Sequence, residues 1–179
     1  MKEITITQGK TALVDDEDYD YLNQMNWYCM KNKMGGYYAS TPICSTGKPP
    51  KTLLMHRLIL NARKGIQVDH INHSGLDNRK ENLRLCTNSQ NGMNRLPSKH
   101  KKYKGVRKIE RFYKEKVYTY YEARITKDEK EKYLGIFKTE EEAVEKYNKT
   151  AIEYFGNFAM INQISNLTAD TEGHRGYNE

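Results

Sequence analysis

The 179 residues of this chain, with 37% hydrophobic content, fit one domain or two small ones, and the mean hydropathy of -0.93 argues against a single large core. A formal charge of +7 points to a polyanionic partner, because each neutralised phosphate releases condensed counterions. Three widely spaced Cys (Cys29, Cys44, Cys86) without a C-x-x-C argue against a disulfide framework and against Cys-ligated zinc.

At the amino terminus, ITIT (4–7) and TALV (11–14) alternate as two short strands around a Gln8-Gly9 turn. DDEDYDYLNQM follows as a helix. Its acids crowd the first turn, and Tyr19, Leu22 and Met25 recur at helical spacing. WYCM, a Gly35-Gly36 turn and YYAS form a hairpin, TGKPP a loop, KTLLM a strand and HRLIL a short helix. Nothing here has the apolar core of a signal peptide or the length of a membrane span, so the expectation is a non-exported, cytoplasmic protein.

Residues 68–91, VDHINHSGLDNRKENLRLCTNSQN, read as strand, turn-rich loop, returning strand and the start of a helix. A phosphodiester repels nucleophiles and leaves as a poor alkoxide, so its hydrolysis needs a base for water and a cation at the phosphate. His70 is a base suited to neutral pH, while Asp69 and Asn91 offer hard oxygens suited to Mg²⁺ or Mn²⁺. Asp69 and His70 adjoin on a strand and serve one site only if the strand ends or twists there, which the Asn72–Gly75 turn permits. Asn82, opposite His70 across the hairpin, is placed to hold the imidazole in one tautomer. Asn, Asp and Gly in a turn also satisfy backbone groups, so on spacing alone a polar hairpin without chemistry stands beside the nuclease reading.

The same stretch resembles the core of the HNH endonucleases, the ββα-metal nucleases, and is most similar to their phage and intron-encoded homing branch. The resemblance runs from KTLLMHRLIL to Asn94, with weaker similarity in TQGKTALVDDEDYDYL. It implies His70 as general base, Asn82 as the residue that orients it, and Asp69 and Asn91 as metal ligands, with Asn88 in reserve. The last position is Asn91 where the name-giving pattern has His, which favours Mg²⁺ or Mn²⁺ over Zn²⁺. His56 is expected beside the site, Arg79 and Arg84 at DNA phosphates, and His73 in the turn; His100 and His174 have no constellation around them.

From Arg95 to Arg111 the composition shifts to RLPSKHKKYKGVRKIER, eight Lys or Arg with a single acid, which marks a linker suited to tracking phosphates. YKGVRK, VYTYYEARIT and KYLGIF are strand-like; Ala123 and Ile125 share one face, with Glu122, Arg124 and Thr126 on the other. KTEEEAVEKYNKTAIEYFG is an amphipathic helix with a Thr139–Glu142 capping box, a stripe of Ala143, Tyr147, Ala151 and Tyr154, and Gly156 at its end. A three-stranded sheet with Arg107, Arg111, Arg124 and Tyr133 on the side away from the helix suits a DNA major groove.

G-V-R, L-G-x-F, the E-E-A helix and Asn162 resemble the plant Apetala-type (ethylene-response-factor) DNA-binding domain. The resemblance implies base or phosphate contacts for Arg107 and Arg124 and puts Tyr133 where a contacting Trp stands. The segment K-I-E-R-F-Y-K-E-K is longer than usual and the usual Trp residues are absent, so the base preference does not transfer. Lys101, Lys102 and Lys104 add phosphate contacts.

The reading is thus an α+β protein: a β-rich extension with a ββα-metal core (1–94), a basic linker (95–102), a three-stranded antiparallel sheet on one helix (103–162) and a polar tail (163–179). Its expected function is divalent-metal-dependent cleavage of double-stranded DNA, as a nick or a double-strand break, and the resemblance to HNH endonucleases implies 3′-hydroxyl and 5′-phosphate ends. The chain acts as monomer or homodimer without a small-molecule cofactor or membrane, in a host cell if phage-encoded. The alternative is a non-catalytic DNA-binding regulator on an inert scaffold.

Overall fold

The computed structural model describes residues 1–32, 35–98 and 100–164; the expected tail from residue 165 onward, with His174, lies outside them. The chain is mixed α+β with four small sheets among the described residues, and it divides into two compact units, Met1–Arg95 and Leu96–Glu179. No helix among the described residues is long and apolar enough to cross a membrane.

In the first unit β1 (Lys2–Ile6) pairs antiparallel with β2 (Lys10–Val14), and α1 (Asp16–Leu22) follows. Period-two alternation puts Ile4, Ile6, Ala12 and Val14 on one face, where they pack with Leu22, Trp27, Ala39 and Met55 into the unit's core. The buried Trp27 indole donates to the Leu22 carbonyl at 2.9 Å, so its polar edge is satisfied as its apolar body is buried. β3 (Tyr28–Lys31), β4 (Tyr37–Ser45) and β5 (Lys48–Leu54) form a three-stranded antiparallel sheet with β4 central. The expected TGKPP loop contracts to a turn at Thr46-Gly47, and Pro49 and Pro50 belong to β5. β5 is an edge strand, where a missing N–H costs no ladder bond.

After α2 (Met55–Ile59), the Arg57 guanidinium donates to the Ala62, Arg63 and Ile66 carbonyls and fixes the turn into β6 (Gln67–His70). β6 pairs with β7 (Leu83–Cys86), and α3 (Asn88–Met93) packs on both. Thr87 and Gln90 close a capping box that starts α3 immediately after β7. The loop between β6 and β7 is tied to the amino-terminal hairpin. Leu13 N–H donates to Leu76 O and Asn78 N–H to Leu13 O, both at 2.8 Å, and Lys80 N–H donates to Asp15. The β-rich extension therefore braces the loop that follows His70.

In the second unit β8 (Val106–Tyr113), β9 (Lys116–Lys127) and β10 (Lys130–Phe137) form an antiparallel sheet with β9 central. α4 (Glu140–Phe155), started by the Thr139–Glu142 capping box, covers one face. Ala143, Val144, Tyr147 and Ala151 of the helix meet Val106, Ala123 and Ile125 of the sheet. Both hairpin turns use two residues at positive φ, Lys114-Glu115 and Asp128-Glu129, the twist that joins antiparallel strands most tightly. Asn162 closes the unit: its side chain accepts from Lys104 N–H and donates to Lys104 O, at 2.8 and 2.9 Å.

Candidate functional site

β6 ends at His70, so Asp69 and His70 leave the strand where its alternation stops, and both are buried at 6% exposure. Asp69 faces Arg84 directly across the β6–β7 pair. The Arg84 guanidinium donates to Asp69 Oδ2 through Nε at 2.8 Å and Nη2 at 2.6 Å. Asn94, just past the end of α3, donates from Nδ2 to both Asp69 oxygens (3.1 and 3.0 Å) and to the His70 carbonyl (3.2 Å). One amide thus ties helix, carboxylate and strand end together.

The His70 ring lies between two aromatic neighbours. Tyr38 stacks on it at 5.8 Å between centroids, and His56 meets it edge-on at 4.9 Å. Tyr38 is seated by the close approach of Gly75, where a Cβ would lie 2.5 Å from the Tyr38 ring and 2.4 Å from the Tyr37 carbonyl. His70 Nε2 stands 3.4 Å from Asn78 Oδ1, and the Asn78 amide nitrogen donates to the Leu76 carbonyl at 3.3 Å. That second bond turns the amide oxygen toward the imidazole, so Nε2 carries the proton and Nδ1 keeps its lone pair. Burial holds the His70 pKa below its ordinary value, against the opposing pull of Asn78, Asp69 and Asp77. The ring is therefore neutral and able to accept a proton at pH 7.

His56, also buried, has its pKa pushed down to about 3 by desolvation first and by His70 and Arg57 next. Its Nδ1 has no hydrogen-bond partner among the described residues.

Asn82 sits differently from its expected place. His70 pairs with Leu83, one residue later, and Asn82 belongs to the 3₁₀ turn Lys80–Asn82 before β7. Its Oδ1 accepts from Asn72 N–H at 2.9 Å and its Nδ2 donates to Asp77 O at 2.8 Å, so it braces the loop while Asn78 holds the ring. A shift of one residue in a strand pair turns a side chain to the other side, which is why Asn82 and the imidazole do not meet. Asp77 completes the brace. Arg79 grips it with Nε and Nη2, Asn72 donates to it at 2.8 Å, and these donors keep its carboxyl below the usual carboxylate range. Arg79, expected at phosphate, is thereby built into the loop.

Asn91 lies on α3 three residues before Asn94, on the same helical face, and its half-buried side chain makes no hydrogen bond among the described residues. Asn88 and His73 are exposed. No group of three or more His, Cys, Asp or Glu able to hold a metal exists among the described residues. A hard cation here would rest on one carboxylate and one amide, and that donor set fits Mg²⁺, which keeps several waters and takes few protein ligands. Asp69 Oδ1 accepts from the Asn94 amide at 3.1 Å, and a carboxylate oxygen has lone pairs enough for such a bond and an ion together. Sequence reading missed Tyr38, Asn78 and Asn94. Asn78 sits inside the D-N-R turn and Asn94 one turn beyond Asn91, and only the fold brings them to His70 and Asp69.

On the open face of the second unit's sheet, Glu122 joins Arg107 and Arg124. It accepts from Arg107 Nε at 2.8 Å and also from Arg124 Nε, and the two guanidiniums, Arg124 first, hold its carboxyl below the ordinary range. Arg124 also pairs with Glu131 and lies 5.9 Å from the centroid of the exposed Tyr133 ring. Arg111 lies 5.8 Å from the Tyr120 ring centroid. Lys102 pairs with Glu140, and Lys101 is exposed beside it in the chain. The backbone of Lys104 is held by Asn162.

A family model described as HNH endonuclease matches residues 54–93, which hold α2, the β6–β7 hairpin and α3. An uncharacterized HNH endonuclease of Acanthamoeba polyphaga mimivirus is 34% identical over 159 residues, covering 88% of this chain and 77% of that protein. No solved structure matches the chain.

Proposed function

The chain belongs to the HNH endonucleases, and from that premise we propose that it is a divalent-metal-dependent enzyme that hydrolyses phosphodiester bonds of double-stranded DNA. The observation that carries this reading is the neutral, buried His70, fixed through Nε2 by Asn78 and adjoining the Asp69 carboxylate. His70 Nδ1 takes a proton from the attacking water, while Asn78 and the Tyr38 and His56 rings keep the imidazole from turning. Asp69 and Asn91 would hold the cation, Mg²⁺ or Mn²⁺, oriented by Arg84 and Asn94. When bound, the ion supplies charge stabilisation at the scissile phosphate. Asn82 acts at one remove, by closing the loop that presents Asn78.

In this reading residues 1–94 are the ββα-metal nuclease domain, 95–102 a basic linker and 103–162 an Apetala-type DNA-binding domain. The similarity of G-V-R, L-G-x-F and the E-E-A helix supports the last assignment. So does the Arg107–Glu122–Arg124 cluster, which fixes two guanidiniums on the face away from α4 before any ligand arrives. Fixed guanidiniums of this kind suit guanine edges and phosphates.

Incubation of supercoiled plasmid with Mg²⁺ tests the proposal. The native chain converts it to nicked or linear product, chelation stops the reaction, and His70→Ala lowers the rate by about 10²–10⁴-fold with binding intact. Binding without cleavage by native chain and variant alike would instead select the regulator reading.

A further inference from the structure

The far end of the β8–β9 hairpin lies outside the core of its unit. From Glu110 to Thr119 every residue is exposed, among them Phe112 at 79%, Tyr113 at 61%, Val117 at 53% and Tyr118 at 41%. Phe112 stands opposite Val117 on the side of the sheet that α4 occupies further along, where Val106 and Ala123 are buried. The helix does not reach this pair. More than half of each residue is left to solvent, and solvent exposure of apolar residues in a cluster marks a contact surface.

The finger is also stiff and basic. Its two-residue turn, Lys114-Glu115, leaves no loop to order on binding. Residues 107–118, RKIERFYKEKVY, carry five cationic side chains against two acidic ones. Lys108 pairs with Glu110, whereas Arg111, Lys114 and Lys116 form no ion pair among the described residues. Lys114 lies 5.3 Å from the Tyr113 ring centroid and Arg111 extends the face that holds Arg107 and Arg124. A second copy of this finger would bring like charges together, and Lys108 and Arg111 on the edge strand β8 oppose edge pairing. A duplex offers both what the cations and what the apolar pair require: a line of phosphates with sugars and base steps between them.

We propose that the β8–β9 finger is a second DNA contact, in which Phe112 and Val117 press against sugars or a base step while Arg111, Lys114 and Lys116 meet the flanking phosphates. The proposal rests on the reading of the second unit as a DNA-binding domain, and extends it beyond the arginine cluster of the sheet.

The test is fluorescence anisotropy of the full chain on a short random-sequence duplex, with chelator present so that the DNA stays intact. Phe112→Ser combined with Val117→Thr is expected to weaken binding about tenfold, the scale of one lost stacking contact. Its salt dependence and thermal midpoint stay native, because no phosphate contact or buried group is lost. Arg111→Gln with Lys114→Gln and Lys116→Gln lowers the salt dependence instead. Native affinity in the apolar variant, while Arg107→Ala with Arg124→Ala binds weakly, overturns the finger and leaves the domain reading standing. Native affinity in all variants overturns both. Loss of a native dimer in the apolar variant at unchanged DNA affinity would make the patch a self-association surface and also overturn the proposal.

Discussion

Asn78 Oδ1 lies 3.4 Å from His70 Nε2, while the amide nitrogen of the same side chain is turned to the Leu76 carbonyl. The two contacts decide which imidazole nitrogen is free. Asn78 is itself fully buried, and its own N–H is held by Leu13 O, so the amino-terminal hairpin sets the tautomer of a residue far along the chain. Removing the amide leaves the ring able to swap nitrogens. Asn78→Ala is expected to lower the single-turnover cleavage rate by up to about 100-fold, the scale of a misplaced reacting group, with DNA affinity unchanged. Equal rates in native chain and variant would remove Asn78 from the mechanism.

A second outcome concerns Arg84, whose guanidinium sits on the carboxylate proposed to hold the cation. Its charge opposes a cation at Asp69 while orienting the oxygen that would take it. Arg84→Met keeps much of the side-chain volume and removes that opposition. The Mg²⁺ concentration for half-maximal cleavage should fall severalfold in a titration, and the variant should unfold more easily, because a buried carboxylate has lost its partner. A higher metal requirement would show that Arg84 serves only to orient Asp69.

The strands of the first unit are legible because Ile4, Ile6, Ala12 and Val14 alternate, and α4 because Ala143, Tyr147 and Ala151 repeat at helical spacing under a capping box. Asp69 and His70 could be named because a base beside a hard carboxylate suits phosphodiester hydrolysis and because residues 68–91 resemble the HNH core. Their partners could not. Asn78, Asn94 and Tyr38 reach them only through the Leu13–Asn78 tie, the C-terminal end of α3 and the approach of β4 to Gly75, and none of these is a local pattern. Asn82 shows the same limit in reverse: its sequence position relative to His70 is right for a contact, and a register of His70 on Leu83 takes it elsewhere. The finger was legible only as extra length, since the turn Lys114-Glu115 contains neither Gly nor Asn.

His56 should make the protein sensitive to acid. Its folded-state pKa of about 3 lies below the unfolded value near 6.5. Above that value both states are neutral and the full stability is present. As pH falls below it the unfolded chain takes a proton that the folded chain refuses, and stability drains until the folded pKa is reached. At pH 5 the loss from this residue is about 2 kcal/mol. His70, shifted in the same direction, adds to it. His56→Phe keeps an aromatic ring and eliminates the buried Nδ1, which has no partner among the described residues. Urea unfolding at pH 7.5 and pH 5 should show a smaller acid loss in the variant, and an unchanged loss would put the sensitivity elsewhere.

Gly105 tests whether the second unit stands on its own packing. It holds φ at +72°, and a Cβ there would lie 2.2 Å from the Tyr147 ring and 2.4 Å from the Arg124 carbonyl. Tyr147 is 2% exposed at the centre of the helix–sheet contact, and Gly105 O accepts the Arg124 N–H at 2.8 Å. Neither the buried ring nor the hydrogen-bonded backbone has room to yield. Gly105→Ala therefore combines backbone strain with overpacking and should destabilise this unit by roughly 3 kcal/mol or more. Calorimetry of the full chain should show the transition of this unit moving down while that of Met1–Arg95 stays in place. DNA affinity should fall with the loss of the Arg107–Glu122–Arg124 face, whereas cleavage at saturating DNA persists. A single transition shifted as a whole would mean that the two cores fold as one.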